Sequence, residues 1–268
     1  MRVRFWGVRG SVPWATGRSA ATGSNTPCLE LDDEASGTSL ILDAGTGLVG
    51  LGEAVRPQRG PIHILLSHYH WDHVQGLPFF GPCFRPGVEI GVAGPAFATV
   101  GPAWLNSLFE APHFPVPLRA LPSAPVATFV QPGTFRLGGF AIRAIRLNHP
   151  GGSFAYRIAG SAGDLVYATD HEFGERETDA ALAEFASNAA AIVMDAHYTP
   201  EELPHVLGRG HGSWEQGVRL AASAHVGHVW LFHHKPGRTD EEIAAMEQAA
   251  RQVHPGVAAA REGIEFRV

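Results

Sequence analysis

The chain has 268 residues, of which 45% are hydrophobic and 17% charged, a composition that favours a folded globular protein over a disordered one. Its net charge of −6 argues against a broad nucleic-acid-binding surface, which requires a basic patch. The two cysteines, Cys28 and Cys83, lie far apart in the sequence. They argue against a disulfide framework and against a cysteine metal cluster, and they favour a reducing, cytoplasmic compartment.

The sequence also predicts no membrane partner. The opening stretch has no apolar core of a signal peptide, and no apolar run approaches the ~20 residues that cross a bilayer. No Ser/Gly-rich linker interrupts the chain, so we expect a single domain over residues 1–268. The sequence leaves a homodimer open.

Short β-type runs alternate with helical segments along the chain, and strand after strand ends at an aspartate or a histidine. The residues at or just after these strand ends are Asp43, His68, His149, Asp170, Asp195 and His233. Side chains at the ends of adjacent strands converge in space, so this pattern predicts a site along one edge of a sheet.

Helices are indicated at three places. The segments 239–253 and 213–224 each begin with a capping box, formed by Thr239 and Glu242 in the first and by Ser213 and Gln216 in the second. Residues 79–127 are rich in proline and glycine, and one helix is expected there near 96–110. Whether residues 79–127 form a lid or a pocket wall is left open.

The stretch "SHYHWDHVQG", residues 67–76, places three histidines and an aspartate within six consecutive positions. Neutral imidazole and carboxylate together suit Zn²⁺, Mn²⁺ or Fe²⁺. His68 and His70 are two apart on an extended segment and can point the same way, while Asp72 and His73 follow where a helix begins. One loop can therefore supply two ligands to each of two neighbouring ions. The alternative interpretation is a solvated polar loop.

The H-x-H-x-D-H pattern after an apolar strand resembles the signature of the metallo-β-lactamase superfamily. Four further stretches resemble the other motifs of that superfamily, in the same order: "LDAGTG", "LNHPGGSFAYRI", "YATDHEF" and "LFHHKP". The resemblance covers almost the whole chain. It implies an α+β fold, a four-layer αββα sandwich, with a dinuclear centre of two divalent ions per chain, zinc ahead of manganese or iron.

The resemblance also implies a role for each residue of the centre. His68, His70 and His149 would hold one ion, Asp72, His73 and His233 the other, and Asp170 would bridge them, with Asp72 counted among the catalytic residues as well. Asp43 would support the ligands from behind. His234, beside His233, is expected to support the site or face solvent.

The stretch "GRGHGSW", residues 208–214, resembles a segment of the phosphodiesterase branch, which includes tRNase Z and cyclic-phosphate phosphodiesterases. This resemblance implies that His211 is a catalytic proton donor outside the metal shell and that Asp195 orients it. Gly212 and Ser213 depart from the usual Ser and Thr of that segment, so the contact of the Ser213 hydroxyl is left open. "FWGVRGSVP" followed by "GSNTPCLEL" resembles phosphodiesterase-like hydrolases and places Asn25 in a loop that approaches the substrate pocket.

The function predicted from these motifs is hydrolysis of a small phosphodiester, a cyclic nucleotide or another cyclic phosphate. One alternative is an acyl hydrolase, a thioesterase or lactonase, on the same metal site. Another is a tRNA 3′-processing endonuclease, which the acidic net charge and the lack of a basic, glycine-rich arm disfavour. A non-enzymatic metal-binding module is the weakest alternative because the chain carries both His211 and Asp170.

Overall fold

The computed structural model describes residues 1–33, 37–54 and 60–268, and it contains two seven-stranded sheets. The first sheet has the order β14-β1-β2-β3-β4-β5-β6. Its strands are β1 (Arg2–Gly7), β2 (Cys28–Asp33), β3 (Thr38–Leu42), β4 (Ile62–Leu65), β5 (Ile90–Pro95), β6 (Val126–Val130) and β14 (Glu265–Arg267). From β3 to β6 neighbouring strands are parallel.

The second sheet has the order β13-β12-β11-β10-β9-β8-β7. Its strands are β7 (Gly133–Leu137), β8 (Phe140–Leu147), β9 (Ser153–Ile158), β10 (Leu165–Ala168), β11 (Ala191–Asp195), β12 (His228–Phe232) and β13 (Val257–Ala259). Strands β10 to β13 are parallel to one another, whereas β9 runs antiparallel to both β8 and β10. Strand β8 therefore runs in the same direction as β10, and the two end at the same edge.

The helices are α1 (Gly47–Ala54), α2 (Trp71–Val74), α3 (Trp104–Ser107), α4 (Arg176–Ala186), α5 (Trp214–Ser223) and α6 (Asp240–Arg251). Short 3-10 turns cover Leu77–Phe79, Gly81–Phe84, Leu118–Ala120 and Leu203–His205. Among the described residues, no helix is both long and apolar enough to cross a membrane.

The core consists of three buried apolar clusters, one between the two sheets and one between each sheet and its helices. One buried cluster joins the two sheets and includes Phe5 and Leu31 from the first and Tyr167 and Val193 from the second. A second cluster packs α4, α5 and α6 on the outer face of the second sheet, and a third packs α1 and α2 on the outer face of the first. This arrangement of helix, sheet, sheet and helix confirms the predicted αββα sandwich.

Two of the three predicted helices form as expected. Ser213 caps α5 and Thr239 caps α6, each with both hydrogen bonds of a capping box. The helix expected near 96–110 was predicted too long, since only Trp104–Ser107 is helical there. Gly101 and Pro102 precede this turn, and proline can occupy the first turn of a helix but not its interior.

Candidate metal centre

The candidate ligands lie where strands of both sheets end, at one edge of the sandwich. His68 follows β4, His149 follows β8, Asp170 follows β10 and His233 follows β12. The strands deliver these residues to the same edge because their carboxyl ends point the same way, as the sequence pattern predicts.

Three strand-end residues adopt the left-handed backbone conformation that non-glycine residues rarely occupy. Asp43, Asp170 and His233 have φ angles of 60°, 57° and 58°. Such conformations cost about 1–3 kcal/mol each and persist where the surrounding structure imposes them, often at functional sites.

His68, His70 and His149 form the first group of potential ligands, called here the open triad. Their ring nitrogens lie within 4.8 Å of one another. The Nδ1 of His70 is 2.9 Å from the Nε2 of His149, and the Nδ1 of His149 lies 2.7 Å from the Gly210 carbonyl oxygen, to which it can donate. That outer contact fixes the orientation of the imidazole and turns its Nε2 toward the centre.

Asp72, His73 and His233 form the second group, called here the closed triad. The Nε2 of His233 is 3.1 Å from Asp72 Oδ2 and 3.3 Å from the Nε2 of His73. All three side chains are buried. Each offers one nitrogen or oxygen to a common point, as a divalent ion requires.

Asp170 lies between the triads and presents one oxygen to each. Its Oδ2 is 3.7 Å from His68 Nε2 and 3.6 Å from His149 Nε2. Its Oδ1 is 3.4 Å from His73 Nε2 and 3.3 Å from His233 Nε2. These distances place the carboxylate where a ligand shared by two ions would lie.

The residues present fit two divalent cations. Within the described part of the chain, the buried Nε2 of His68 has no hydrogen-bond partner, although it faces the Asp170 carboxylate. A buried polar atom without a partner is costly unless another group satisfies it. The donor set of imidazole nitrogens and carboxylate oxygens is the one that zinc, manganese and iron accept.

Asp43 supports the closed triad from the side away from the centre. Its carboxylate accepts hydrogen bonds from the Ser67 backbone N–H at 2.6 Å, the Ser67 hydroxyl at 2.9 Å and the Tyr167 hydroxyl at 2.6 Å. The Nδ1 of His73 lies 2.8 Å from Asp43 Oδ2. Asp43 therefore holds the Nδ1 proton of His73 and leaves its Nε2 directed at the centre.

The segment after β1 closes the site over the same triad. The Ser11 backbone N–H donates to Asp72 Oδ2 at 2.7 Å, and Ser11 has a φ angle of 65°. A Cβ atom at Gly10 would overlap the His233 ring, so only glycine fits this close approach. The sequence alone gave no signal for this contact because a backbone N–H leaves no pattern.

His211 contacts Asp195 in the way the sequence predicts. Its Nδ1 lies 2.6 Å from Asp195 Oδ2 and 3.8 Å from Asp170 Oδ2. Burial alone would lower the pKa of His211, but the charges of Asp195 and Asp170 outweigh it and raise that pKa to about 9. The imidazole is therefore held in its charged form, with a second N–H at Nε2.

His197 is a site residue that the sequence reasoning missed. Its ring stacks on His211 with centroids 4.4 Å apart, and its Nδ1 lies 3.1 Å from the His233 carbonyl oxygen. Burial, and then the nearby charge of His211, lower the pKa of His197 to about 3, so it stays neutral. The available signal was its position, two residues after the strand-end Asp195.

Other sequence-predicted residues lie outside the triads. The Asn25 side chain donates to Glu262 at 3.1 Å, and the Ser213 hydroxyl accepts the Gln216 N–H of the α5 cap. His234 is buried, with its Nε2 3.0 Å from the Ala260 carbonyl oxygen, to which it can donate. Asn25 and Ser213 therefore position backbone segments, and His234 ties β12 to the chain after β13.

The two triads differ in their access to solvent. His70 is exposed, whereas His68, His149 and all members of the closed triad are buried. The next residue, Trp71, is also exposed, with 58% of its surface accessible. The centre therefore opens on the side of His70, where an aromatic side chain stands beside it.

Comparisons with known proteins agree with this geometry. A family profile described as "Beta-lactamase superfamily domain" matches residues 38–234. The chain is 25% identical over 309 residues to the ribonuclease Z of Thermoplasma acidophilum, covering 94% of this chain and 92% of that protein.

Solved structures share the fold over nearly their whole lengths. The metallo-beta-lactamase fold protein YhfI from Bacillus subtilis superposes with a TM-score of 0.74 at 20% identity, covering 99% of this chain and 98% of that one. A diphosphatase from the PhnP family gives a TM-score of 0.71 at 16% identity, with 99% and 97% covered. At these identities the likeness shows the fold.

Proposed function

Since the chain belongs to the beta-lactamase superfamily, we propose that it is a dinuclear metal-dependent hydrolase that cleaves small phosphodiesters, with a cyclic nucleotide or another cyclic phosphate as substrate. The observation that carries the proposal is the pair formed by His211 and Asp195, 2.6 Å apart at the edge of the two triads. A thioester expels a thiolate, which needs little protonation, whereas an alkoxide that leaves phosphorus is a strong base and needs a proton donor such as a charged imidazole.

In this proposal one domain over residues 1–268 holds both ions. The open triad would bind one, the closed triad the other, and Asp170 both, with zinc ahead of manganese or iron. Such a pair of cations lowers the pKa of water and stabilises charge on phosphoryl oxygens.

The chain's own residues do the rest of the chemistry. Asp195 holds the Nδ1 proton of His211, so that the Nε2 proton points to the leaving oxygen. As water adds to phosphorus and gives up a proton to the solvent, the bond to the leaving oxygen breaks and that oxygen takes the Nε2 proton of His211. His197, neutral and stacked on the ring, keeps the imidazole from rotating away from Asp195.

A small substrate is favoured over tRNA. The net charge of −6 provides no general attraction for a polyanion. Binding dominated by RNA phosphates weakens steeply with salt, with a slope near −0.7 per contacted phosphate on single strands. Efficient, salt-sensitive removal of a precursor tRNA 3′ trailer would therefore replace this substrate assignment with the endonuclease alternative.

The test is a substrate panel on protein loaded separately with Zn²⁺, Mn²⁺ and Fe²⁺. Bis-p-nitrophenyl phosphate and 2′,3′- and 3′,5′-cyclic nucleotides represent diesters, and a nitrophenyl thioester and a homoserine lactone represent acyl substrates. We expect turnover of at least one diester to exceed turnover of every acyl substrate. Faster hydrolysis of the thioester or the lactone would move the acyl hydrolase to first place.

A further inference from the structure

The Glu172 carboxylate contacts the loop that carries His211. Its Oε1 accepts the backbone N–H of Gly208 at 2.5 Å, and its Oε2 accepts the backbone N–H of Gly210 at 2.6 Å. Each carboxylate oxygen thus binds one N–H, and hydrogen bonds to an ionised acceptor are roughly twice as strong as neutral ones. His211 is the next residue after Gly210.

The backbone of Glu172 is joined to the segment that carries His149. The Glu172 N–H donates to the Asn148 carbonyl oxygen, and the Asn148 side-chain amide donates to the Glu172 carbonyl oxygen, both at 2.8 Å. Gly210 in turn accepts from His149 Nδ1 at 2.7 Å. Glu172 therefore connects the chain after Asp170 to the segments of both His149 and His211.

Part of the loop is exposed to solvent. Residues 207–209 are exposed, with 66% of the Leu207 surface accessible. Gly208 and Gly210 have φ angles of 81° and 85°, which place their N–H groups on the carboxylate. A Cβ atom at Gly210 would overlap the His149 ring, so only glycine allows the loop to lie this close to His149.

We infer that Glu172 is a positioning residue, which sets the place of His211 and the orientation of His149 by holding the 208–210 backbone. The expected effect on the catalytic rate rests on the proposed function, whereas the holding of the 208–210 backbone by Glu172 does not. Displacing a catalytic group by about 1 Å can cost up to about 10²-fold in rate. Loss of the carboxylate would therefore appear first in the step that needs the His211 proton.

The experiment compares Glu172→Gln and Glu172→Asp with the control Glu175→Gln. Glutamine replaces one acceptor oxygen by an N–H donor that faces a glycine N–H, and aspartate keeps the charge but is too short to reach both. Glu175 is exposed and accepts from the Thr178 hydroxyl at 2.8 Å, without contacting the loop.

We expect both Glu172 variants to lower kcat for diesters with poor, alkoxide leaving groups by roughly 10–10²-fold and to change nitrophenyl diesters much less. Metal content should remain two ions per chain, and the Glu175 variant should match the wild type. Equal loss on good and poor leaving groups, or no loss on either, would overturn the inference.

Amide hydrogen exchange of residues 203–211 separates this inference from the proposed function. The amides of Gly208 and Gly210 should exchange roughly tenfold faster in both Glu172 variants, whatever the substrate is. Unchanged exchange would show that the Glu172 carboxylate does not hold the 208–210 backbone in place. If the wild type hydrolyses no diester but amide exchange still rises in the Glu172 variants, the proposed function is wrong and the role of Glu172 in holding the loop stands.

Discussion

The open and closed triads offer the same kinds of ligand atoms but in different surroundings. The closed triad is buried, with Asp43 behind His73 and the Ser11 N–H on Asp72. The open triad contains the exposed His70, and the ring of His149 is oriented by the backbone carbonyl of Gly210 in the 208–210 loop. From this difference we infer that the closed triad would hold its ion more firmly, whereas the open triad would face the substrate.

The largest expected effect comes from breaking the closed triad. His233→Ala should reduce the metal content from two ions to one and abolish diester hydrolysis, because Asp72, His73 and the shared Asp170 would leave that ion short of ligands. Metal analysis of purified protein measures this directly. His234→Ala is the matched control: it removes a hydrogen bond to Ala260 worth about 1 kcal/mol but should retain both ions. The reverse pattern would mean that the last ligand is His234.

The next largest effect is expected from removal of the proton donor, His211. His211→Ala should cut kcat by ~10²–10⁴-fold while the metal content stays at two. Asp195→Asn should do the same more mildly, since the imidazole remains. A nitrophenyl diester should lose less than a cyclic nucleotide, because its leaving oxygen scarcely needs a proton. If the metal content falls instead, His211 is a ligand.

The support behind the closed triad should matter less than the triad itself. Asp43→Asn keeps the shape of the side chain but replaces one acceptor oxygen by an N–H group, among four donors. We expect metal affinity to fall by about 10–100-fold, with the loss confined to one of the two ions. Titration with a competing chelator measures it, and equal weakening of both ions would contradict the distinction between the triads.

The pH dependence follows from the pKa of His211, which is raised to about 9. The proton donor is charged below that pH and loses its proton above it, so kcat should stay level through neutral pH and fall about tenfold per unit above pH 9. In Asp195→Asn the largest of the charges that raise the pKa of His211 is gone, so the fall should begin at lower pH. If kcat of the His211→Ala variant falls above pH 9 in the same way as that of the wild type, the fall comes from the titration of another group.

The smallest effect is expected from Trp71, which follows the exposed His70 of the open triad. If the exposed Trp71 stacks on a nucleobase or an aryl leaving group, Trp71→Ala should raise KM for such substrates roughly fivefold, about 1 kcal/mol, and leave kcat and metal content unchanged. Phe84→Ala, another exposed aromatic position, is the control. Equal KM values for aryl and alkyl diesters in the Trp71 variant would remove the stacking role.

The sandwich was predicted from the resemblance of five motifs to a known superfamily, and the converging residues were predicted from the residues at the strand ends. Strands that end in Asp or His mark the edge, and the spacing of "HYHWDH" predicts one loop that would serve two ions. Whether each residue ligates as assigned stays a prediction, although Asp170 lies within 3.7 Å of ligand nitrogens from both triads.

Contacts that use the backbone could not be read from the sequence. The N–H of Ser11 on Asp72 and the two glycine N–H groups on Glu172 depend on how distant segments meet, and every residue except proline carries such a donor. The hydrogen bond from the Asn25 side chain to Glu262, more than 200 positions later, shows the same limit, while the place of Asn25 near the substrate pocket stays a prediction.

Crystals of the zinc-loaded protein, examined by anomalous diffraction, test the central claim most directly. We predict two zinc peaks about 3.5–4 Å apart, one within the open triad and one within the closed triad, with Asp170 between them and His211 outside both. His197 and His211 also lie within 4.8 Å of His233, so the same ring nitrogens could form another ligand set. A single peak, or a peak bound by His197 and His211, would contradict the account.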